Sequence, residues 1–328
     1  MSKLSNYIFS GGEVQFGQPR GAGYLIPYGN GMYRTFFRSG TFIVPPGVTS
    51  IRIRVHGAGG AGGSNFVNYT SSAAETTSFG NLISATGGES GPGRSTSSGA
   101  SPGIGVGGDF QSTGGRGGTN RDSSRGAGGG GAGSILGNGG SGGASTRVTS
   151  GPGGGVSDSG DALSIRAGSA FGGLDALGGK EIDPLNESEF VRFPMESFSG
   201  RGGYYIADSV SSTADGGSGG GGIAWIYSDS TEQTIRTSGR PGPGGGGAGG
   251  VEFRNSGFDG GIGAGGGGAD EPVGTSSSDL TLRNGGAGGG FAIGVFSVSP
   301  GDEYIVTVAL GDNKGKSKGG DGLVVVEW

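Results

Sequence analysis

Two stretches of the sequence carry the glycine spacing of phosphate-binding loops. Residues 57–62, Gly-Ala-Gly-Gly-Ala-Gly, follow a predicted strand and satisfy the G-x-G-x-x-G pattern of dinucleotide sites. That pattern also needs a following helix, and residues 64–70 predict none. Residues 311–317 fall one residue short of a P-loop, and the glycines at 319–320 would end any helix that could present amides to a phosphate. Neither stretch therefore predicts a nucleotide site, and the second is typical of a hairpin loop with solvated lysines.

The other reactive side chains do not form a recognisable catalytic or metal site. His56 is the only histidine and the chain has no cysteine, so no second ligand of the zinc-binding type accompanies it. The carboxylates of Asp183, Glu187 and Glu189 lie in a polar spacer, where a solvated loop is expected. Serine is abundant, but no nucleophile elbow marks one of them. The sequence predicts no enzyme, no cofactor and no metal site.

Arg116 lies between two glycine pairs, as in the RGG segments that bind RNA, and Arg121 and Arg125 follow it. The alternative is that these arginines lie on the outer edge of a packed glycine region. A formal net charge of −5 and the lack of a repeated RGG block favour that alternative. The charge also argues against a nucleic-acid or anionic-membrane partner.

Aromatic residues on the spacers between glycine runs are the remaining candidates for recognition. Tyrosine and tryptophan anchor many recognition surfaces because they bury a large area at a low entropy cost. The alternative is that these side chains pack together and cap the glycine region, and both can hold at once. The candidate receptor-binding residues are Phe66, Tyr69, Phe190, Phe193, Phe198, Tyr204, Tyr205, Trp225 and Tyr227.

Glycine dominates the middle of the chain, where it must be either disordered or in a structure that requires glycine. The protein has 87 glycines in 328 residues, against about 7% in ordinary proteins. Helices of the polyproline II type have three residues per turn and no internal hydrogen bonds. Packed side by side without intervening Cβ atoms, they can satisfy one another's backbones. We therefore predict a bundle of left-handed polyglycine II helices; with only 13 prolines and no strict glycine period, collagen is disfavoured.

Strand signals flank this glycine-rich region on both sides. Five runs read as strands: residues 41–44, 48–56, 291–298, 304–309 and 322–328. A Pro-Gly turn separates the first run from the second, and another separates the third from the fourth. We predict a mainly β fold with little or no α-helix. Its small antiparallel β-domain, residues 41–56 and 291–328, is split by the glycine-rich insertion, residues 57–290.

Residues 1–40 form an aromatic-rich N-terminal segment. Eight of them are tyrosine or phenylalanine, a density found nowhere else in the chain. Such a segment buries itself either against its own β-domain or against another subunit, and Phe9, Tyr24 and Phe37 are the candidate docking residues. No apolar run approaches 18 residues and no signal peptide opens the chain, so neither membrane insertion nor secretory export is predicted.

The flanking motifs resemble the glycine-rich domain of bacteriophage tail fibres and adhesins. The resemblance rests on residues 40–63, which include Gly-Thr-Phe-Ile-Val-Pro-Pro-Gly-Val and Ile-Arg-Ile-Arg-Val-His-Gly-Ala-Gly-Gly. It also rests on residues 285–328, which end in Gly-Gly-Asp-Gly-Leu-Val-Val-Val-Glu-Trp. The insertion is similar in composition alone. Some adhesins of this kind carry polyglycine II sandwiches whose apical loops read the host receptor.

The resemblance implies a phage tail fibre or tail-tip adhesin that binds a bacterial surface receptor, a protein or a polysaccharide, through its loops. It implies a virion location after assembly in the host cytoplasm. Other tail or baseplate proteins would then be partners, with residues 1–40 as the attachment segment, and a homotrimer is the expected assembly. The alternative is a non-adhesive structural virion protein, such as a head fibre or a baseplate spacer.

Overall fold

The computed structural model describes residues 28–63, 72–92, 99–119, 126–135, 137–144, 154–155, 226–228, 233–235, 246–247, 259–268, 284–313 and 317–328. These residues contain β-strands and no helix, so the prediction of a mainly β fold is confirmed for the part of the chain described. The strands are β1 (Tyr33–Phe36), β2 (Gly40–Ile43), β3 (Ser50–His56), β4 (Thr77–Phe79), β5 (Ile83–Ala85), β6 (Gly105–Val106), β7 (Phe110–Ser112), β8 (Ile226–Ser228), β9 (Gln233–Ile235), β10 (Phe291–Ser297), β11 (Glu303–Thr307) and β12 (Leu323–Glu327).

Ten of these strands form two antiparallel sheets of five strands each. Sheet 1 has the order β1-β12-β3-β10-β7, and sheet 2 has the order β2-β11-β4-β5-β6. The long strand β3 lies between β12 and β10, which come from the other end of the chain. The two parts of the chain that flank the glycine-rich region therefore pair directly. β8 and β9 form a separate two-stranded sheet.

The hydrophobic core joins the two sheets. On β3, Ile51, Ile53 and Val55 are fully buried, as the alternation of apolar and polar residues predicts. Phe42 and Phe79 of sheet 2 meet in this core with ring centroids 5.7 Å apart. Aromatic rings at this separation and tilt attract one another beyond their buried area, so this pair stabilises the core face of sheet 2.

Two tight turns depend on glycine at a left-handed backbone angle. Gly47 has φ of +81° in the Pro-Pro-Gly turn between β2 and β3, and the Val48 amide donates to the Pro45 carbonyl at 3.2 Å. Gly301 has φ of +88° in the turn between β10 and β11, where the Asp302 amide donates to Ser299. Proline followed by glycine at such an angle is the type II turn chemistry, so both predicted turns occur.

Beyond the sheets, the glycine segments form hydrogen bonds with a spacing of three residues. Segment 284–290 shows this most fully, because each amide from residue 285 to residue 290 donates to a backbone carbonyl. The acceptors repeat in a fixed order: segment 113–119, then segment 259–268, then segment 86–92, and then the same three again. Every third residue of this segment therefore faces the same neighbour.

Segment 284–290 has six neighbours. Besides the three segments that accept its amides, its carbonyls accept from three others, 57–63, 99–104 and 126–133. Each of the six is also hydrogen-bonded to the next one around the ring. The segment is therefore enclosed on all sides by backbone, and directions are mixed, since 126–133 runs parallel to it and 57–63 antiparallel.

Two further segments are enclosed in a similar way. Segment 126–133 is ringed by six segments that again bond to one another in turn: 113–119, 137–144, 154–155, 246–247, 259–268 and 284–290. Segment 57–63 has five hydrogen-bonded neighbours, and its sixth side is closed by an alanine contact among Ala58, Ala74 and Ala309. The three rings share members, so the described glycine segments form one continuous array.

The close spacing of this array leaves no room for side chains at most of its glycines. A Cβ on Gly285 would lie 2.5 Å from the Gly128 carbonyl carbon, and one on Gly288 would lie 2.6 Å from that of Gly131. Real Cβ atoms are essentially never closer than 3.0 Å to such atoms. Glycine is therefore required sterically in the array, whereas its left-handed freedom matters only at turns.

The array has a sheet-proximal end and a distal end. Segment 57–63 continues from β3, segment 284–290 leads into β10, and segment 317–322 leads into β12. The Gly57 amide donates to the Gly290 carbonyl at the sheet-proximal end. At the distal end, the Gly63 amide donates to the Asn284 carbonyl. The sheets therefore hold several segments of the array by their ends, on one side.

Strand positions differ from the sequence-based domain bounds in two places. β4, β5, β6 and β7 lie within residues 57–290 and complete both sheets, although that range was assigned to the glycine-rich insertion. β1 lies within the N-terminal segment and pairs with β12, from Tyr33 opposite Glu327 to Phe36 opposite Val324. Residues 33–36 thus pack on their own β-domain, one of the two alternatives for that segment.

Candidate functional site

The glycine pattern at residues 57–62 is occupied by the protein's own backbone. The amides of Gly57 and Gly60 donate to segment 284–290, and those of Gly59 and Gly62 donate to segment 317–322, at 2.8 to 3.1 Å. A dinucleotide site needs such amides to face a pyrophosphate. Because these four are already bonded within the array, the pattern serves packing, in agreement with its sequence-based interpretation.

A buried cluster of charges lies on the outer face of sheet 1. Glu327 receives paired hydrogen bonds from Arg52, with Nε–Oε2 and Nη2–Oε1 distances of 2.8 Å. It also pairs with Arg54, whose Nε is 3.0 Å from Glu327 Oε2 and whose Nη2 is 2.6 Å from Glu327 Oε1. The Glu327 and Arg52 side chains are only 7% and 3% exposed. Two guanidinium groups thus hold one carboxylate within the fold.

These arginines set the protonation of the carboxylate. Burial raises the pKa of Glu327, but the hydrogen bonds and positive charges of Arg52 and Arg54 outweigh it, so that the pKa lies below its usual value. The Tyr28 ring lies over the Arg52 guanidinium at 5.4 Å, and the Tyr28 hydroxyl is 2.6 Å from Ser50 Oγ. The cluster therefore links Tyr28 to two strands of sheet 1, the central strand β3 and the C-terminal strand β12.

His56 lies at the end of β3, where the sheet meets the glycine array. The sequence places it on the polar face of β3, and the structure does put it on the face that carries Arg52 and Arg54. Its ring nevertheless packs on Phe291 at 4.6 Å, and its buried Nδ1 has no hydrogen-bond partner among the residues that the structure describes. The Phe291 ring and the Gly133 backbone thus enclose His56, which fills the junction between the sheet and the array.

The pKa of His56 predicts a loss of stability in mild acid. Burial lowers it from 6.5 to about 4, the Arg54 charge adds to this, and a hydrogen bond to the Gly133 backbone opposes it. Between these two values the unfolded chain binds a proton that the folded chain does not, so the free energy of unfolding should fall as the pH falls from 6.5 to 4. The loss should reach about 3 kcal/mol.

Urea unfolding at pH 7.5, 5.5 and 4.5 measures this loss, with His56→Gln as the variant that cannot titrate there. The difference between the wild type and His56→Gln should shrink as the pH falls. Parallel pH profiles for the two proteins would show that His56 titrates normally in the folded state.

The predicted receptor-binding residues lie almost entirely outside the described residues. This holds for Phe66, Tyr69, Phe190, Phe193, Phe198, Tyr204, Tyr205 and Trp225. Tyr227 lies in β8, opposite Thr234 of β9. Of the docking candidates, Phe9 and Tyr24 also lie outside the described residues. Phe37 follows β1 and is 62% exposed, with Met32 at 57% and Tyr33 at 70% nearby in the chain.

The described array shows which spacers begin and end at its distal side. Residues 63 and 72, which flank spacer 64–71, both lie near that end: Gly63 bonds to Asn284, and the Ser72 carbonyl accepts from Ser90. Residues 268 and 284, which flank spacer 269–283, lie there too, since the Gly268 amide donates to Ala127. The spacer that carries Phe66 and Tyr69 therefore departs from and returns to the end farthest from the sheets.

No family model, no curated protein and no solved structure matches the chain. The resemblance to phage tail fibres therefore stays a prediction. Within the described ranges, no three histidine, cysteine or acidic residues are grouped so that they could hold a metal ion. The same ranges contain no helix that is long and apolar enough to cross a membrane.

Proposed function

We propose that the glycine segments form a bundle of left-handed polyglycine II helices. The supporting observation is the hydrogen-bond pattern of segment 284–290. Its amides donate to three neighbouring segments in an order that repeats every three residues, and its carbonyls accept from three other segments. A β-strand has a side-chain period of two and bonds to neighbours on two sides of one plane. A three-residue extended helix directs its backbone groups outward all round, which accounts for a ring of neighbours.

We propose further that the protein is a phage tail fibre or tail-tip adhesin that binds a bacterial surface receptor. The bundle gives it a rigid platform, because each enclosed segment is held by its neighbours on every side. The sheets hold that platform at one end and leave the distal end for contact with a cell. This geometry is the observation that favours a receptor-binding role, with the sequence resemblance as its second support.

Aromatic residues on the spacers should supply most of the receptor affinity. Spacer 64–71 joins distal ends of the array, so Phe66 and Tyr69 are the first pair to test. Tyr204, Tyr205, Trp225 and Tyr227 are the second set, drawn from spacers between the described segments 154–155 and 246–247. Large aromatic side chains lose little entropy on binding and bury much area, which makes them frequent centres of binding energy.

Alanine substitution of each set is expected to reduce adsorption of assembled particles to host cells by at least tenfold. The particle should assemble normally, since the sequence places these residues on spacers between the glycine runs. The matched substitutions are at Phe9 and Tyr24, which should leave a folded protein that fails to join the virion. Adsorption should be measured by counting free particles after mixing with cells. Wild-type adsorption by both spacer variants would refute the adhesin proposal and favour a structural virion protein.

A further inference from the structure

A groove of about 330 Å³ lies near the sheet-proximal end of the array, on its rim. It is formed by residues 259–262 on one side and 318–322 on the other, with Phe37 alongside. The two sides are joined by backbone bonds, because the Gly260 amide donates to Lys318 and the Gly263 amide donates to Asp321. The two sides of the groove are therefore fixed by backbone hydrogen bonds. Its volume lies at the lower end of the range for small-molecule binding sites.

The polar groups of the groove come from Asp259, Lys318 and Asp321. Asp259 Oδ1 accepts from the Lys318 amide at 2.6 Å, and Asp321 Oδ1 accepts from the Gly311 amide at 2.8 Å. Lys318 Nζ is 2.7 Å from Asp321 Oδ1. Among the described residues, none donates to Oδ2 of either carboxylate. Two acceptor oxygens and the two further protons of one ammonium group are thus left to meet a ligand.

The apolar side chains of the groove are those of Phe37 and Ile262, since glycines occupy much of its length. Phe37 is 62% exposed, so most of its surface is accessible to solvent. Gly260, Gly319, Gly320 and Gly322 line the groove and present backbone without side chains. A flat ligand can therefore approach the backbone closely while it stacks on the phenyl ring.

We propose that this groove binds a neutral saccharide. A sugar ring has an apolar face of C–H groups, which suits Phe37, and hydroxyl groups that donate to carboxylates and accept from an ammonium. The two carboxylates and one ammonium leave the groove with one net negative charge, which disfavours anionic ligands. A purely apolar ligand would displace the water that hydrogen-bonds to Asp259 and Asp321, and it would offer no hydrogen bonds in return.

This proposal does not depend on the adhesin proposal. The groove lies near the sheet-proximal end, whereas the spacer that carries Phe66 and Tyr69 joins distal ends of the array. Particle adsorption therefore tests the distal aromatic residues, and sugar titration tests the groove. Either can fail without the other.

The test is titration of the purified full chain with a panel of neutral sugars. The panel holds glucose, galactose, mannose, N-acetylglucosamine and disaccharides of each, followed by saturation-transfer NMR and calorimetry. At least one sugar should bind with a dissociation constant of the order of 1 mM, because the groove is open and offers few polar groups. Asp259→Asn and Phe37→Ala should each weaken that binding by roughly tenfold.

Ile305→Ala is the matched control, because Ile305 is a more exposed apolar residue, at 71%, on the outer face of sheet 2 and away from the groove. It should bind the sugar as the wild type does. Failure of every sugar in the panel to bind would overturn the proposal. Binding that is unchanged in both Phe37→Ala and Asp259→Asn would overturn it as well, since the sugar would then occupy another surface.

Discussion

Gly130→Val is expected to prevent the chain from folding into a soluble protein. Gly130 lies in the enclosed segment 126–133, where its amide donates to Gly286 and its carbonyl accepts from Gly265. A Cβ at this position would lie 2.5 Å from the Gly115 carbonyl carbon and 2.7 Å from the Arg116 carbonyl oxygen. Both are backbone atoms, which cannot rotate away as a side chain can.

Relieving this overlap would move one segment of the array and break hydrogen bonds to several neighbours at once. The loss in free energy of unfolding should exceed about 4 kcal/mol, which few single substitutions reach. Soluble yield and thermal unfolding measure the effect.

Gly40→Val provides a matched control on the edge strand β2. A Cβ on Gly40 would lie 3.7 Å from the Phe36 ring, an ordinary contact, and the residue is exposed. This variant should stay within about 1 kcal/mol of the wild type. If Gly130→Val gave soluble protein that unfolds at the wild-type temperature, the close packing described for segment 126–133 would be incorrect.

Glu327→Ala is expected to destabilise the protein by about 3–5 kcal/mol, since it leaves buried positive charge without its carboxylate. Arg52 is 3% exposed and lies on the central strand β3, so its guanidinium is largely shielded from the water that could replace Glu327. Arg54, at 28%, is more accessible and should contribute less to the loss. Urea unfolding at pH 7.5 measures the difference in free energy.

The matched control for Glu327→Ala is Lys318→Met, which removes an exposed ion pair. Lys318 and Asp321 are 41% and 42% exposed, and exposed pairs contribute about 0–1 kcal/mol. Equal losses in the two variants would mean that the charges of sheet 1 are solvated in solution, contrary to their burial in the structure.

The long strands could be predicted from the sequence because their signal is local. Ile51, Ile53 and Val55 alternate with polar residues, and each Pro-Gly turn marks where one strand ends. The predicted run 48–56 contains the observed β3, Ser50–His56, and the predicted run 291–298 contains β10, Phe291–Ser297. The glycine content likewise predicted that the middle of the chain forms a structure that requires glycine, and the described glycine segments do pack too closely for side chains.

The short strands could not be predicted, since two or three residues carry no period. Thr77–Phe79 and Ile83–Ala85 each show a single alternation around a less buried serine, and Gly105–Val106 is too short to show any pattern. Only Thr77–Phe79 pairs with a longer strand, β11, and the other two strands extend the sheet from it. Their position depends on pairing across the fold, which one sequence does not reveal.

The site residues show the same division between local and distant information. The polar face of β3 was predictable from alternation, but the burial of His56 comes from Phe291, which is 235 residues farther along the chain. The pairing of Arg52 with Glu327 spans 275 residues and depends on the register of β12 against β3. The aromatic spacers could be recognised by composition, but their place relative to the sheets needed the array.

Amide hydrogen exchange in segments 126–133 and 284–290 tests the central claim most directly, namely that glycine backbone is ordered by hydrogen bonds to surrounding segments. Every amide from residue 285 to residue 290 donates to a carbonyl of another segment. Their exchange should be slowed by at least ~10³-fold, since release requires opening of an enclosed part of the fold. Mass spectrometry of peptides from the exchanged full chain resolves both segments. Exchange at random-coil rates in these segments would contradict the ordered array and, with it, the proposed polyglycine II bundle.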